Sequence, residues 1–210
     1  MLFRSERFYY LQLLHRAGIL TEMPESPEIR LVGASREAGA ARFAQHGLPA
    51  PIIGVSPGAA FGTAKRWLPE RFAETANLLA RELGASVAIF GSQSERDLCA
   101  GVAKAIHAPV HNFAGETTLA DYIDLTSACH LYLSNDSGAM HIASALGVPT
   151  VTVFGATNHI TTGPTGVNAR IVRENVECSP CQKRECPIDH RCMTRVAASR
   201  VAQVALELLK

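Results

Sequence analysis

The feature that most constrains this chain is an alternation beginning at Ile52. A short β-branched run is followed by a glycine-rich loop, then by a segment whose apolar positions recur at helical spacing. The first cycle reads "IIGVS", "PGAAFGTAKRW" and "LPERFAETANLLARELG", with Pro69 suited to a first helical turn and Gly84 to a helix end. "SVAIFG" with "SERDLCAGVAKAIHA", "VHNFAG" with "TTLADYIDLTSAC", and "HLYLS" with "GAMHIASALG" repeat the pattern before a final "PTVTVFG". Strands separated by helices of about ten to fifteen residues require right-handed crossovers. The expected fold class is therefore α/β, a Rossmann-like parallel sheet with helices on both faces.

Composition narrows the function classes. A chain of 210 residues, 47% of them hydrophobic, can bury a full core. Twenty basic against nineteen acidic side chains give a net charge of +1, without the basic footprint of a nucleic-acid binder, so no nucleic-acid partner is expected. Arg4, Glu6 and Arg7 interrupt the apolar pattern of the N-terminus, which therefore reads as neither a signal peptide nor a membrane span. A cytoplasmic protein is expected.

Parallel sheets of this kind bind ligands at the carboxyl ends of their strands. "SNDSG" lies at such a place, between "HLYLS" and a helical pattern. Asp136 is the expected N-cap of that helix, leaving first-turn amides and the positive end of the helix dipole for an anion such as phosphate. Gly138 removes a side chain that would block approach, and His141 falls one turn along, on about the same face as Ser137. A capped helix start with a packed histidine is the competing reading. The loop after the first strand is a second site of the same type. Ser56 and Gly58 sit at the strand's end, Gly62 turns the loop, and Lys65 supplies an ammonium that would neutralise a diphosphate; solvated charges at Lys65 and Arg66 are the alternative. Glu95, after the second strand, is placed to grip ribose hydroxyls or to act as a surface residue in a first helical turn. Neither GxxxxGK[ST] nor GxGxxG is present, which argues against ordinary NTP hydrolysis and dinucleotide binding.

The segment "CSPCQKRECPIDHRC" groups Cys178, Cys181, Cys186 and Cys192 with His190. The first pair has the spacing of a zinc knuckle and the second does not, so zinc, free thiols and disulfides all remain open and no metal is assigned. Cys99 and Cys129 fall in helical apolar patterns and are expected to be buried thiols. Lys183, Arg184, Arg191 and Arg195 form either a solvated face or one that meets an anionic surface.

"GVSPGAAFGTAKRWLPERFAETANLL", "IFGSQSERD", "NFAGETTLADYIDL" and "YLSNDSGAMHIASALGVPTVTVFGAT" together resemble the ADP-heptose:lipopolysaccharide heptosyltransferase family, glycosyltransferase family 9, in its heptosyltransferase II-like members. The resemblance covers about residues 50 to 165 and concerns the C-terminal, donor-binding half. It implies a GT-B architecture, an inverting transfer of heptose from ADP-heptose to the lipopolysaccharide inner core, no required cofactor, and work at the cytoplasmic face of the inner membrane with peripheral contact. It implies further that Lys65 meets the donor's phosphates and stabilises the transition state, that Ser137 and Gly138 offer amides to them, that Asp136 and His141 lie near phosphate and heptose, and that Glu95 meets the ribose. Residues 51–210 are expected to form the donor domain, including the cysteine-rich segment 178–192 and a C-terminal helix, and residues 1–50 a helix and connector. Fifty residues are too few for an acceptor domain of roughly 100 or more. The catalytic base, an aspartate of that domain in the family, has no counterpart here, so the chain is expected to bind donor without transferring it. A non-catalytic nucleotide-sugar module, or a transferase for another nucleotide sugar, stays open beside this reading.

Overall fold

The computed structural model describes residues 6–23 and 34–210. Arg4 and the first residues of the expected connector, 27–33, lie outside the described residues.

The elements follow one another as α1 (Glu6–Arg16), α2 (Ala34–Gln45), β1 (Ile52–Ser56), α3 (Pro69–Leu83), β2 (Ser86–Ile89), α4 (Arg96–Lys104), β3 (Val110–Asn112), α5 (Leu119–Ser127), β4 (Leu131–Asn135), α6 (Gly138–Ala145), β5 (Thr150–Phe154), α7 (His159–Thr162), β6 (Ala169–Arg173), α8 (Arg191–Thr194) and α9 (Ala198–Leu208). The strands form one six-stranded sheet in the order β3-β2-β1-β4-β5-β6, and every pairing is parallel. The α/β expectation is met. β1, β2, β4 and β5 are buried along their whole length, as strands covered on both faces must be, which is why they read as apolar runs rather than as alternations.

Two cores result. On one face Val55, Val87, Ile89, Leu133 and Val153 pack against Phe72, Ala76 and Leu79 of α3 and Val201, Ala202 and Ala205 of α9. On the other, Ile52, Phe90 and Tyr132 meet Phe43, Leu125 and Ala143, from α2, α5 and α6. Phe43 and Leu48 therefore bring the connector segment into the second core. α3 begins at Pro69, with its N-terminal proline lacking a donor that would be unpaired anyway, and stops at Gly84 in the left-handed conformation, φ 63°.

The chain reverses direction across the sheet between β1 and β4. From β1 it steps outward through β2 and β3, then returns to β4 beside β1 and proceeds the other way. The loops leaving β1 and β4 consequently diverge at their carboxyl ends and leave a crevice between them.

Candidate functional site

The loop from Pro57 to Leu68 forms one wall of the crevice, and its path is imposed by other parts of the chain. Asn135, fully buried at the end of β4, accepts the N–H of Trp67 on Oδ1 at 2.8 Å and donates from Nδ2 to the carbonyls of Pro57 at 2.7 Å and Gly58 at 3.3 Å. Arg66 folds back onto the Ala59 carbonyl at 3.2 and 3.3 Å. The two adjacent cations are thus different in kind. Arg66 braces the loop, and Lys65 faces the crevice.

The Lys65 ammonium lies 2.8 Å from Asp136 Oδ2 and 4.9 Å from the centre of the Phe61 ring. Asp136 is 4% exposed, and the same Oδ2 accepts the hydroxyl of Thr157, itself buried in the loop after β5. This corrects the expected capping role of Asp136. Ser137 is the N-cap of α6, no side chain caps the helix, and the carboxylate turns inward because a buried anion needs a buried cation more than a backbone amide. Ser137 Oγ reaches Ser134 Oγ at 3.3 Å. The first-turn amides of α6 are therefore left without a side-chain cap, where the sequence reading gave one of them to Asp136 and only the others to a ligand.

Two cavities adjoin at that helix end and share Ala60, Ser137 and Gly138. One, of about 390 Å³, is bounded by Ser56, Gly58, Phe90, Glu95, Thr118 and Tyr122. The other, of about 590 Å³, is bounded by Lys65, Asp136, His141, Thr161, Thr165 and, from α1, Tyr10. A Cβ on Gly138 would meet no atom within 4 Å, so a side chain there would project into this shared space. At Gly58 a Cβ would meet the Glu95 carboxylate, which would have to swing away from its present place. Glu95 Oε2 accepts from the N–H and hydroxyl of Ser92, both at 2.9 Å, closing a capping box at the entry to α4. Glu95 also borders the smaller cavity. Ser56 Oγ is hydrogen-bonded to Tyr132 at 2.6 Å, and Tyr132 to Tyr122 at 2.8 Å, a buried hydroxyl chain beneath the cavity floor. Burial keeps both phenols neutral, pushing Tyr122 up to about 12 and Tyr132 higher than its usual value.

All the expected residues therefore border the two cavities. Phe61, Phe90, Thr118 and Tyr122 border them too, while Asn135 and Thr157 act behind the walls through hydrogen bonds to Trp67, Pro57, Gly58 and Asp136; none of the six was singled out from sequence. Thr157 follows "VTVFG" at a strand's carboxyl end, a position that could have flagged it. Phe90 and Tyr122 look like ordinary core residues in their patterns.

The cysteine-rich segment lies against the Lys65 loop. The Arg184 carbonyl accepts the N–H of Ala64 at 2.9 Å, and His190 Nε2 donates to the Ala64 carbonyl at 3.0 Å. Gly62 is required where that Arg184 carbonyl presses in, because a Cβ would collide with it. All six cysteines are free thiols, and among the described residues no group of three or more His, Cys, Asp or Glu is placed to hold a metal ion. Cys99 and Cys129 are buried as expected; Cys192 is buried as well, and desolvation raises its thiol to about 11. Arg191 is paired with Asp189 at 2.9 Å and Glu177 at 3.5 Å, while Lys183 and Arg184 are exposed. Among the described residues no helix is long and apolar enough to cross a membrane.

Comparison with known proteins places these features in context. Residues 9–191 match the family described as glycosyltransferase family 9 (heptosyltransferase). Lipooligosaccharide heptosyltransferase 2 of Campylobacter jejuni is 34% identical over 165 residues, covering 76% of this chain and 51% of that protein. The chain spans about half the length of the curated relatives it matches. The solved structure of Escherichia coli ADP-heptose lps heptosyltransferase II superposes with a TM-score of 0.74 at 30% identity, covering 87% of this chain and 53% of that one. A family 9 glycosyl transferase from Veillonella parvula superposes with a TM-score of 0.81 at 24% identity, over 98% of this chain and 60% of that one, which speaks to the fold alone.

Proposed function

This chain belongs to glycosyltransferase family 9, and from that premise we propose that its crevice binds ADP-heptose as the donor half of a heptosyltransferase acting on the lipopolysaccharide inner core. The observation that carries the reading is the pair of cavities meeting at the N-terminus of α6, with a lysine ammonium in one and an aromatic-walled recess in the other. Adenosine takes the smaller cavity, beside the paired rings of Phe90 and Tyr122, with the ribose toward Glu95. The diphosphate crosses the shared Ser137 and Gly138 edge, where unaccepted amides and the helix dipole meet it. The heptose enters the larger cavity beside Asp136 and His141.

The chemistry follows from where charge develops. As the bond from the anomeric carbon to the phosphate oxygen breaks, the departing ADP gains negative charge and the sugar becomes oxocarbenium-like. Lys65 and the α6 amides, already aimed at the diphosphate, stabilise that separation more than they stabilise the bound donor. The attacking hydroxyl of the acceptor needs a base, which the family supplies from its N-terminal half; residues 51–210 are the donor domain in this reading. In this reading the transfer takes place at the cytoplasmic leaflet, where a nucleotide-sugar donor meets a growing lipid-linked acceptor.

Calorimetric titration of the chain with ADP, ADP-heptose and UDP tests the assignment. Binding of the first two with UDP clearly weaker is the expected result, since this reading seats an adenine in the smaller cavity. Failure of ADP to bind, or equal binding of UDP, would overturn it.

A further inference from the structure

The relation between Lys65 and Asp136 contains a difficulty. A carboxylate 2.8 Å from the ammonium competes with the phosphate that the ammonium is meant to meet. Asp136 is 4% exposed, so water cannot moderate the attraction. Something must hold this carboxylate so that it orients the lysine without consuming it.

Thr157 is in that position. Its hydroxyl donates to Asp136 Oδ2, the same oxygen that faces Lys65. Thr157 is 5% exposed, and its backbone is fixed from outside, because the Ala156 carbonyl accepts the N–H of Gln182 at 2.8 Å and the Gly155 carbonyl accepts Ser179 Oγ at 2.7 Å. Two donors on one oxygen fix the rotation of the carboxylate and share its charge. An ammonium has three donors; one points to Asp136, the Phe61 face lies 4.9 Å away, and the cavity is left for the rest.

We propose that Thr157 is a positioning residue for donor binding: by donating to Asp136 it sets the place of the Lys65 ammonium and limits the pull of the carboxylate upon it. Removing the hydroxyl leaves Oδ2 to Lys65 alone, which tightens the internal pair and lets the carboxylate turn. Both effects lower affinity for a phosphate and neither touches the nucleoside. This inference rests on the reading of the crevice as a diphosphate site.

The test is a double-mutant cycle on the full chain, titrated with ADP and with adenosine. Thr157→Val should weaken ADP roughly five-fold, the scale of one net hydrogen bond, and leave adenosine unchanged. Thr157→Ser should restore wild-type affinity, and in a Lys65→Ala background Thr157→Val should add nothing. Thr157→Ala carries the same expectation and replaces the valine variant if that protein does not fold. An undiminished effect in the Lys65→Ala background, an equal loss for adenosine, or no loss of ADP affinity overturns the role of Thr157 while leaving the crevice assignment standing. ADP binding that Lys65→Ala does not change overturns the diphosphate reading itself, and the Thr157 proposal with it.

Discussion

The side-chain oxygen of Asn135 accepts the backbone N–H of Trp67 at 2.8 Å, joining residues 68 positions apart in the chain. The same amide donates to the carbonyls of Pro57 and Gly58. One buried side chain at the end of β4 thereby fixes both ends of the loop that leaves β1. The two walls of the crevice are one hydrogen-bonded unit.

Asn135→Ala should accordingly lower stability by about 2 kcal/mol or more, because three buried backbone groups lose their partner. Asn135→Asp should be at least as harmful, since it keeps the acceptor for Trp67 but turns an anion toward two carbonyls. Urea unfolding of the three proteins measures both. An aspartate variant as stable as wild type would show that the donor side of the amide contributes nothing.

Lys65→Ala should weaken ADP by roughly 1.5–3 kcal/mol, the scale of a charge-assisted hydrogen bond, while adenosine affinity stays as it was. Calorimetry with the two ligands separates a phosphate contact from a general loosening of the site. Equal losses for ADP and adenosine would remove the phosphate contact.

Gly138→Val should fold normally, because the added atoms enter open space, yet reduce ADP binding at least ten-fold by filling the edge shared by both cavities. Melting temperature and ADP titration together check this. Unaltered ADP affinity would mean that the diphosphate passes elsewhere.

A pH effect is expected from His130. Its Nδ1 accepts the N–H of Ile52 at 3.1 Å, and burial, followed by the charge of Arg36, holds its pKa below the usual 6.5. Between the folded and unfolded pKa values the unfolded chain binds more protons, so stability rises with pH across that window and is lost as pH falls from about 6.5 through the folded value. His130→Gln removes this titration. The advantage of wild type over the variant should therefore shrink on acidification, and unfolding curves at about pH 5 and about pH 8 would reveal a contrary trend.

The α/β architecture was legible because each strand is a short apolar run bounded by turn residues and each helix has one apolar stripe. That Lys65, Ser137 and Gly138 border one crevice was legible because they follow the carboxyl ends of neighbouring parallel strands. Asp136 was misassigned in its local role, since residue type at a helix start favours capping, and only the fold shows that Lys65 and Thr157 lie within reach of its carboxylate. Asn135 and Thr157 act through partners far away in the chain, and nothing in their neighbours' sequence announces those partners. The cysteine-rich segment shows the same limit: its spacing left zinc, free thiols and disulfides open, and nothing in it announced that its backbone packs on the Lys65 loop.

That packing has a consequence for the order in which the protein is made. His190 holds the Ala64 carbonyl across 126 positions, and the Trp67 indole donates to the Val196 carbonyl across 129. During synthesis from the N-terminus, the loop bearing Lys65 emerges long before the residues that fix it. A ribosome-bound chain would have most of its sheet strands available while the Lys65 loop was still unbraced. The Lys65 loop would then take its folded path late and abruptly, as the stretch from Arg184 to Val196 leaves the exit tunnel.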